Sequence, residues 1–158
     1  MFDLKVLVRL TIVAAIYVAL TLLVTPLSYG PIQLRFSEIL LLLCFFNPMY
    51  GVALIIGCFL ANLASPLGWL DWVFGTSHTI IAVLFIIWAR KNSLPLWVAS
   101  LGAIIGTPLI GWELHIVFGL PFVISTLWVA AGEFIVVTVF GVPIFRWLEK
   151  RKQFDKTI

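Results

Sequence analysis

Between Val6 and Trp147 the chain is a succession of apolar stretches, most of them about the length of a membrane crossing and separated by short polar or proline-containing breaks. A helical crossing takes about 20 apolar residues, and in lipid every backbone polar group must be satisfied inside a helix or a closed barrel. The first stretch covers Val6 to Val24 and stops at Thr25-Pro26. Apolar residues then continue from Leu34 to Ala64, interrupted by Asn47-Pro48 and Gly51. A third stretch runs from Trp72 to Trp88 and stops at Arg90-Lys91-Asn92. A fourth runs from Leu96 to Phe118, and Gly119-Leu120-Pro121 separates it from a fifth that ends near Trp147. Composition agrees: 63% of the residues are hydrophobic and 11% charged, against roughly 25% charged in soluble domains. Such a surface cannot face water all round. The expectation is a multi-pass protein of the cell membrane, with a lipid bilayer around it and residues 1–158 forming one domain.

Whether Leu34 to Ala64 is one helix or a hairpin is decided by Lys and Arg, which accumulate in cytoplasmic loops. A hairpin at Asn47-Pro48 makes six transmembrane helices with both termini cytoplasmic, an all-α membrane fold. Nine of the ten basic residues then lie inside: Lys5, Arg9, Arg90, Lys91, Arg146, Lys150, Arg151, Lys152 and Lys156. Only Arg35 lies outside. One long helix makes five crossings and leaves eight of the ten outside. The first helix of the hairpin is short, Leu34 to Phe46, so it is expected to tilt or to leave its outer end irregular. Proline disfavours helix in the residue before it, which suits a turn at Asn47-Pro48.

The net charge of +3 implies nucleic acid only when basic residues form a patch on a soluble face. Here they sit at the ends of apolar runs, and no nucleic-acid partner is expected. The opening MFDLKVLVRL imitates a secretory signal, yet no small-residue cleavage site follows it and more spans do, so it reads as a retained first helix. Cys44 and Cys58 read as small buried hydrophobes rather than a disulfide or metal pair. No phosphate-binding G-x-x-x-x-G-K-[ST] and no H-E-x-x-H occurs. An enzyme is not expected, and neither is a metal or a cofactor.

The polar residues are distributed asymmetrically. Gln33, Arg35, Glu38, Asn62, Asp71, His78, Glu113 and His115 all fall in or just below the outer loops. At 1.5 Å per residue, His78 lies roughly 10 Å below its helix start. Glu133 follows Pro121 by twelve residues, roughly 18 Å of helix, near the midplane of a core about 30 Å thick. Ionisable groups at depth are costly and mark function by default. Ala130-Ala131-Gly132 just before Glu133 leaves room for close approach by another element. Each residue also has a bland role. Arg35 and Glu38, three apart, suit a local ion pair; Ser37 suits a helix cap; Asp71 suits a cap for a helix starting at Trp72. Glu113 and His115, two apart, point to opposite sides of a regular helix. Trp88, Trp97 and Trp147 suit one aromatic belt, and Trp69, Trp72 and Trp112 the other.

Four segments in order, YGPIQLRFSEILLLLCFFNP, GCFLANLASPLGWLDWVFG, GWELHIVFGLPF and AAGEFIVVTVFG, resemble the QueT family from Tyr29 to Pro143. These are substrate-binding (S) components of energy-coupling factor (ECF) transporters, linked to uptake of queuosine precursors. The resemblance implies capture of a deazaguanine-type substrate from outside, beneath the first and third outer loops. It also implies a separate transmembrane coupling subunit and two ATPase subunits, which fits the missing ATP motif. In the first helix the resemblance is limited to the spacing Ala15-x-x-x-Ala19, and families of this kind dock on the coupling subunit through such small residues. A deazaguanine offers an N–H beside an exocyclic amine, two parallel donors suited to one carboxylate, and its aminomethyl form adds a cation. The expected substrate-binding residues are Glu38, Asn62, Trp69, Asp71, His78, Trp112, Glu113, His115 and Glu133. Glu113 or Glu133 takes the guanine-like edge, with Glu38 and His115 in support and Trp69, Trp72 or Trp112 against the ring. Two other readings stand beside this one: an S component for another vitamin-like compound, and a self-sufficient ion- or proton-coupled carrier using Glu133. A purely structural membrane protein has no need of polar residues gathered on one side.

Overall fold

The computed structural model describes residues 4–151. Lys152 and Lys156, two of the basic residues counted above, lie outside the described residues. The described residues are helical, without strands. Four helices are long and apolar enough to cross a membrane: α1 (Leu4–Leu23), α4 (Trp69–Lys91), α5 (Leu96–Phe118) and α6 (Phe122–Lys150). Between α1 and α4 lie two shorter apolar helices, α2 (Phe36–Phe46) and α3 (Tyr50–Asn62).

The breaks follow local chemistry. Asn47 is extended (φ −144°, ψ 116°), as a residue before proline prefers, and its Oδ1 accepts a bond from the Met49 N–H at 2.9 Å. A single helix from Leu34 to Ala64 is thereby excluded. The irregular outer end expected of α2 is present: Phe36–Leu42 is wound as a 3-10 helix and only Leu43–Phe46 is α-helical. Gly68 (φ +66°) turns the chain into α4, which therefore starts at Trp69 rather than Trp72. Gly119 (φ +65°) ends α5 in the left-handed conformation that glycine adopts without strain, its N–H bonded to the His115 carbonyl at 3.0 Å.

Neither α5 nor α6 is regular. α5 is interrupted at Leu101 and Gly106, and α6 widens into a π-type stretch over Phe134–Gly141, directly after Glu133. Inserted π turns occur often at functional positions.

The main apolar core gathers Leu41, Cys44, Leu54, Val83, Ile86, Ala99 and Val137, among others. A smaller one of Ile110, Leu114 and Val129 joins α5 to α6. Large side chains such as Leu23, Leu84, Leu127 and Trp128 stand exposed on the outside of the bundle, where lipid rather than water is the fitting solvent. Close approach inside the bundle uses Ala14 and Gly57: a Cβ on Gly57 would stand 3.0 Å from the Ala14 carbonyl oxygen. Ala15 and Ala19 are left on the exposed side of α1.

Candidate functional site

The chain between α1 and α2 does not stay at the surface. Gln33 and Arg35 are 3% and 4% exposed, so this loop turns inward before α2 begins. Irregular backbone at such a depth is tolerated where it is buried in protein or lines a polar cavity. Arg35 is the hub. Its Nη2 donates to Asp71 Oδ1 at 2.7 Å and to Gln33 Oε1 at 2.9 Å. Its Nη1 donates to Asn62 Oδ1 at 3.1 Å and reaches Cys58 Sγ at 4.0 Å, and its Nε donates to the Ser28 carbonyl at 3.2 Å. The guanidinium lies over the Tyr29 ring, 5.5 Å from its centroid. Burial pushes the Tyr29 phenol up to about 12, so it stays a donor, to the Ala61 carbonyl at 2.5 Å. Asn62 Nδ2 closes the set on the Asp71 carbonyl at 3.0 Å. All of this depends on Gly75, where a Cβ would fall 2.5 Å from Asp71 Oδ1 and 2.6 Å from Asn62 Nδ2.

Three local roles expected above are corrected. Arg35 pairs with Asp71, thirty-six residues away, not with Glu38. Asp71 does not cap its helix: it sits inside the first turn of α4, Oδ1 is taken by Arg35 and Oδ2 has no partner. Ser37 is no cap either, since its hydroxyl bonds Thr21 Oγ1 at 2.7 Å. Glu38 is held by α1, where the Tyr17 hydroxyl donates to its Oε1 at 2.5 Å. Tyr17 was missed as a site residue because one tyrosine in an apolar helix reads as core. The available signal was its spacing to Thr21, which puts two hydroxyls on one face of α1.

Gln33, Arg35, Glu38, His78, Ile110, Val129 and Glu133 line a chamber of about 10 Å³, room for about one water. His78 presses its ring edge on Gly106 and bonds the Ala103 carbonyl through Nε2 at 2.8 Å. Glu113 is fully buried and His115 exposed, on opposite sides of α5 as two-residue spacing requires. His115 Nδ1 pairs with the Leu120 carbonyl at 2.7 Å, away from the chamber. Trp69 and Trp112 are 64% and 50% exposed, and Trp112 packs on Phe122 and His115. The room at Gly132 is taken by Leu34, whose Cδ1 would lie 3.0 Å from an added Cβ. The structure thus brings Glu38, Asn62, Asp71, His78, Glu113 and Glu133 into one buried polar layer and leaves Trp69, Trp112 and His115 outside it.

Buried oxygens without a hydrogen-bond partner concentrate in this layer: Glu38 Oε2, Asp71 Oδ2, both oxygens of Glu113, and Glu133 Oε2. Each unmade bond costs about 1–3 kcal/mol, more for a charged group, which makes this layer costly to keep. Among the described residues no cluster of His, Cys, Asp and Glu has the arrangement of a metal site. Cys44 is a buried core residue as expected, whereas Cys58, also buried, takes part in the polar network, its Sγ accepting from Thr79 Oγ1 at 3.1 Å.

Comparison with known proteins follows the same direction. The "Queuosine precursor transporter QueT" of Lactococcus lactis subsp. cremoris (strain MG1363) is 43% identical over 76 residues, covering 47% of this chain and 44% of that protein. The chain thus aligns with less than half of that relative's length. No solved structure matches it. A family model described as QueT transporter matches residues 7–150, nearly the whole length; the chain is a cell-membrane protein of the QueT transporter family and not an enzyme.

Proposed function

We propose that this chain is the substrate-capture subunit of an ECF-type importer, binding a deazaguanine-type queuosine precursor from the outer side. The observation that carries this is a buried polar layer rich in unpartnered carboxyl oxygens, of which those of Glu38 and Glu133 belong to residues lining one chamber. A ligand fit for it brings several donors and a positive charge, which is the chemistry of an aminomethyl deazaguanine. Glu133 takes the N–H and amine of the guanine-like edge, and Glu38 takes the aminomethyl cation. Asn62, Asp71 and His78 hold the walls, Glu113 stands behind them, and Trp69, Trp112 and His115 form the rim. A bicyclic base is many times larger than the chamber of about 10 Å³, so capture opens it. The single domain crosses six times with both termini cytoplasmic, since that arrangement keeps nine of ten basic residues inside.

Delivery falls to a separate transmembrane coupling subunit driven by two ATPase subunits. Support comes from α1, where Ala15 and Ala19 are exposed and a groove of about 400 Å³ runs beside Ala15 toward Ala53 and Ile56 of α3. Small side chains there let another helix approach closely.

Calorimetry on the purified chain tests the site. The aminomethyl deazaguanine is expected to bind, and an analogue lacking the exocyclic amine to be rejected on the order of 10⁴-fold, because a buried carboxylate is then left short of a donor. Equal binding of the two sinks the proposed site. Uptake in cells tests the assembly: it is expected only with the coupling and ATPase subunits present, and Ala15→Leu with Ala19→Leu should stop it while binding persists. Uptake by the chain alone would instead identify a self-sufficient carrier.

A further inference from the structure

The hydrogen bonds of the chamber indicate where its protons are. All five N–H donors of Arg35 are engaged, on Ser28, Asn62, Cys58, Gln33 and Asp71, and Asp71 matches its charge at 2.7 Å. No donor of Arg35 remains for Glu38 or Glu133, which line the same small chamber. Two carboxyl groups sharing a void do not both ionise without a cation between them, because an unpaired buried charge is far costlier than a neutral acid.

The other groups facing the chamber do not change this. His78 of α4 spends Nε2 on the Ala103 carbonyl; Ile110 of α5 and Val129 of α6 are apolar; Gln33 is neutral. Glu113 of α5 is buried nearby but does not line the chamber. Glu38 has a donor that favours its charged form, the Tyr17 hydroxyl, whereas Glu133 Oε2 has none. The proton of the empty chamber therefore sits on Glu133.

We propose that capture of a cationic ligand is an exchange, in which the ligand's ammonium enters the chamber as Glu133 gives up its proton to the outer solution. This rests on the ligand class proposed above. The O–H bond of Glu133 breaks, the proton leaves to water, and the ammonium stays charged. The pair Glu38 and Glu133 carries one negative charge before the exchange, and one net negative charge with the ligand's cation after it. Affinity then rises with pH, about tenfold per unit for one released proton. That slope holds while the empty Glu133 is protonated and the ligand amine is still charged; it means tight binding is lost as pH falls.

Calorimetry of the full chain with the aminomethyl deazaguanine, run in two buffers of different protonation enthalpy, counts the protons. About one proton released per ligand is expected, and the parent deazaguanine, which asks Glu133 for the same two acceptor oxygens but brings no cation to offset a second negative charge, should bind far more weakly. Binding of the cationic ligand without proton release overturns the exchange while leaving the substrate class intact. Infrared difference spectra supply an arm that needs no ligand: the protonated-carboxyl band of the unliganded wild type is expected to lose one component in Glu133→Gln. An unchanged band in that variant places the proton elsewhere and overturns the assignment. If neither deazaguanine binds the wild type, the proposed substrate falls, and the same spectra still decide whether Glu133 holds a proton.

Discussion

The two halves of the bundle treat polar groups in opposite ways. In the half containing Cys44, Ile86, Ala99 and Phe145, hydroxyls are few and paired: Ser100 Oγ meets Thr138 Oγ1 at 2.9 Å and the Trp97 carbonyl at 2.7 Å. Even Arg90 at that end finds the Phe46 carbonyl. The other half contains all the buried side-chain atoms among the described residues that have no partner, on Gln33, Glu38, Asp71, Thr76, Glu113, Thr126 and Glu133. The first half is finished as a structure. The second is satisfied only in part, and stability alone does not explain retaining so many costly groups in one layer.

The largest effect that sharpens this contrast is expected at Arg35. Arg35→Ala leaves Asp71 buried with no cation and frees Gln33, Asn62 and the Ser28 carbonyl at once. Breaking a buried pair by removing one partner costs about 3–5 kcal/mol. Unfolding in detergent should shift by that much, with ligand binding lost; a shift below about 1 kcal/mol, the value of an exposed pair, means the polar layer is solvated rather than buried.

Tyr17→Phe is smaller in effect and more specific. The substitution preserves shape and removes only the hydroxyl on Glu38. A bond to a charged acceptor contributes about 1.5–3 kcal/mol and a neutral one about 0.5–1.5 kcal/mol, so the measured loss reports whether Glu38 is ionised. The larger range is expected, together with weaker capture of the cationic ligand. A loss in the smaller range places a proton on Glu38 and reverses the roles of the two acids.

Much of this contrast was legible in the sequence, and the rest was hidden for identifiable reasons. The turn at Asn47-Pro48 and the irregular start of α2 follow from proline and from a stretch too short to span, both local properties. The opposed fates of Glu113 and His115 follow from helical spacing. Arg35 and Asp71 were both visible as polar residues near the outer loops, yet their pairing depends on the inward turn of the loop before α2 and on the missing side chain at Gly75. A local partner at three residues' distance, Glu38, was the reading that sequence spacing favours. The wide turn after Glu133 had no marker at its start either, since Phe134 to Phe140 carries neither proline nor glycine and Gly141 comes only at its end. The outward tryptophans were ambiguous by nature, because a belt residue and a stacking residue have the same composition.

One substitution made in both halves gives the finest comparison. Gly51 and Gly75 both lie within helices, α3 and α4, where glycine to alanine gains about 1 kcal/mol of helix propensity. At Gly51 the new methyl would stand 2.6 Å from Val83 Cγ1, the tip of one apolar side chain, with its next neighbour at 3.7 Å. At Gly75 it would stand 2.5 Å from Asp71 Oδ1, 2.6 Å from Asn62 Nδ2 and 3.3 Å from Arg35 Nη1. Overpacking costs about 1–3 kcal/mol. A single apolar neighbour yields more easily than three atoms tied by mutual hydrogen bonds, which cannot move without lengthening those bonds. Val83 is buried and stiff at χ1, so Gly51→Ala should still cost about 0–2 kcal/mol net of the propensity gain, while ligand affinity stays unchanged. Gly75→Ala should lower stability by about 1–2 kcal/mol after the propensity gain and weaken ligand binding at least tenfold. Thermal unfolding and calorimetry on the two variants are the measurements. Equal ligand affinity in the two would mean that the polar layer adapts as readily as the apolar core, and that Arg35, Asp71 and Asn62 are not held in the fixed arrangement on which the proposed site depends.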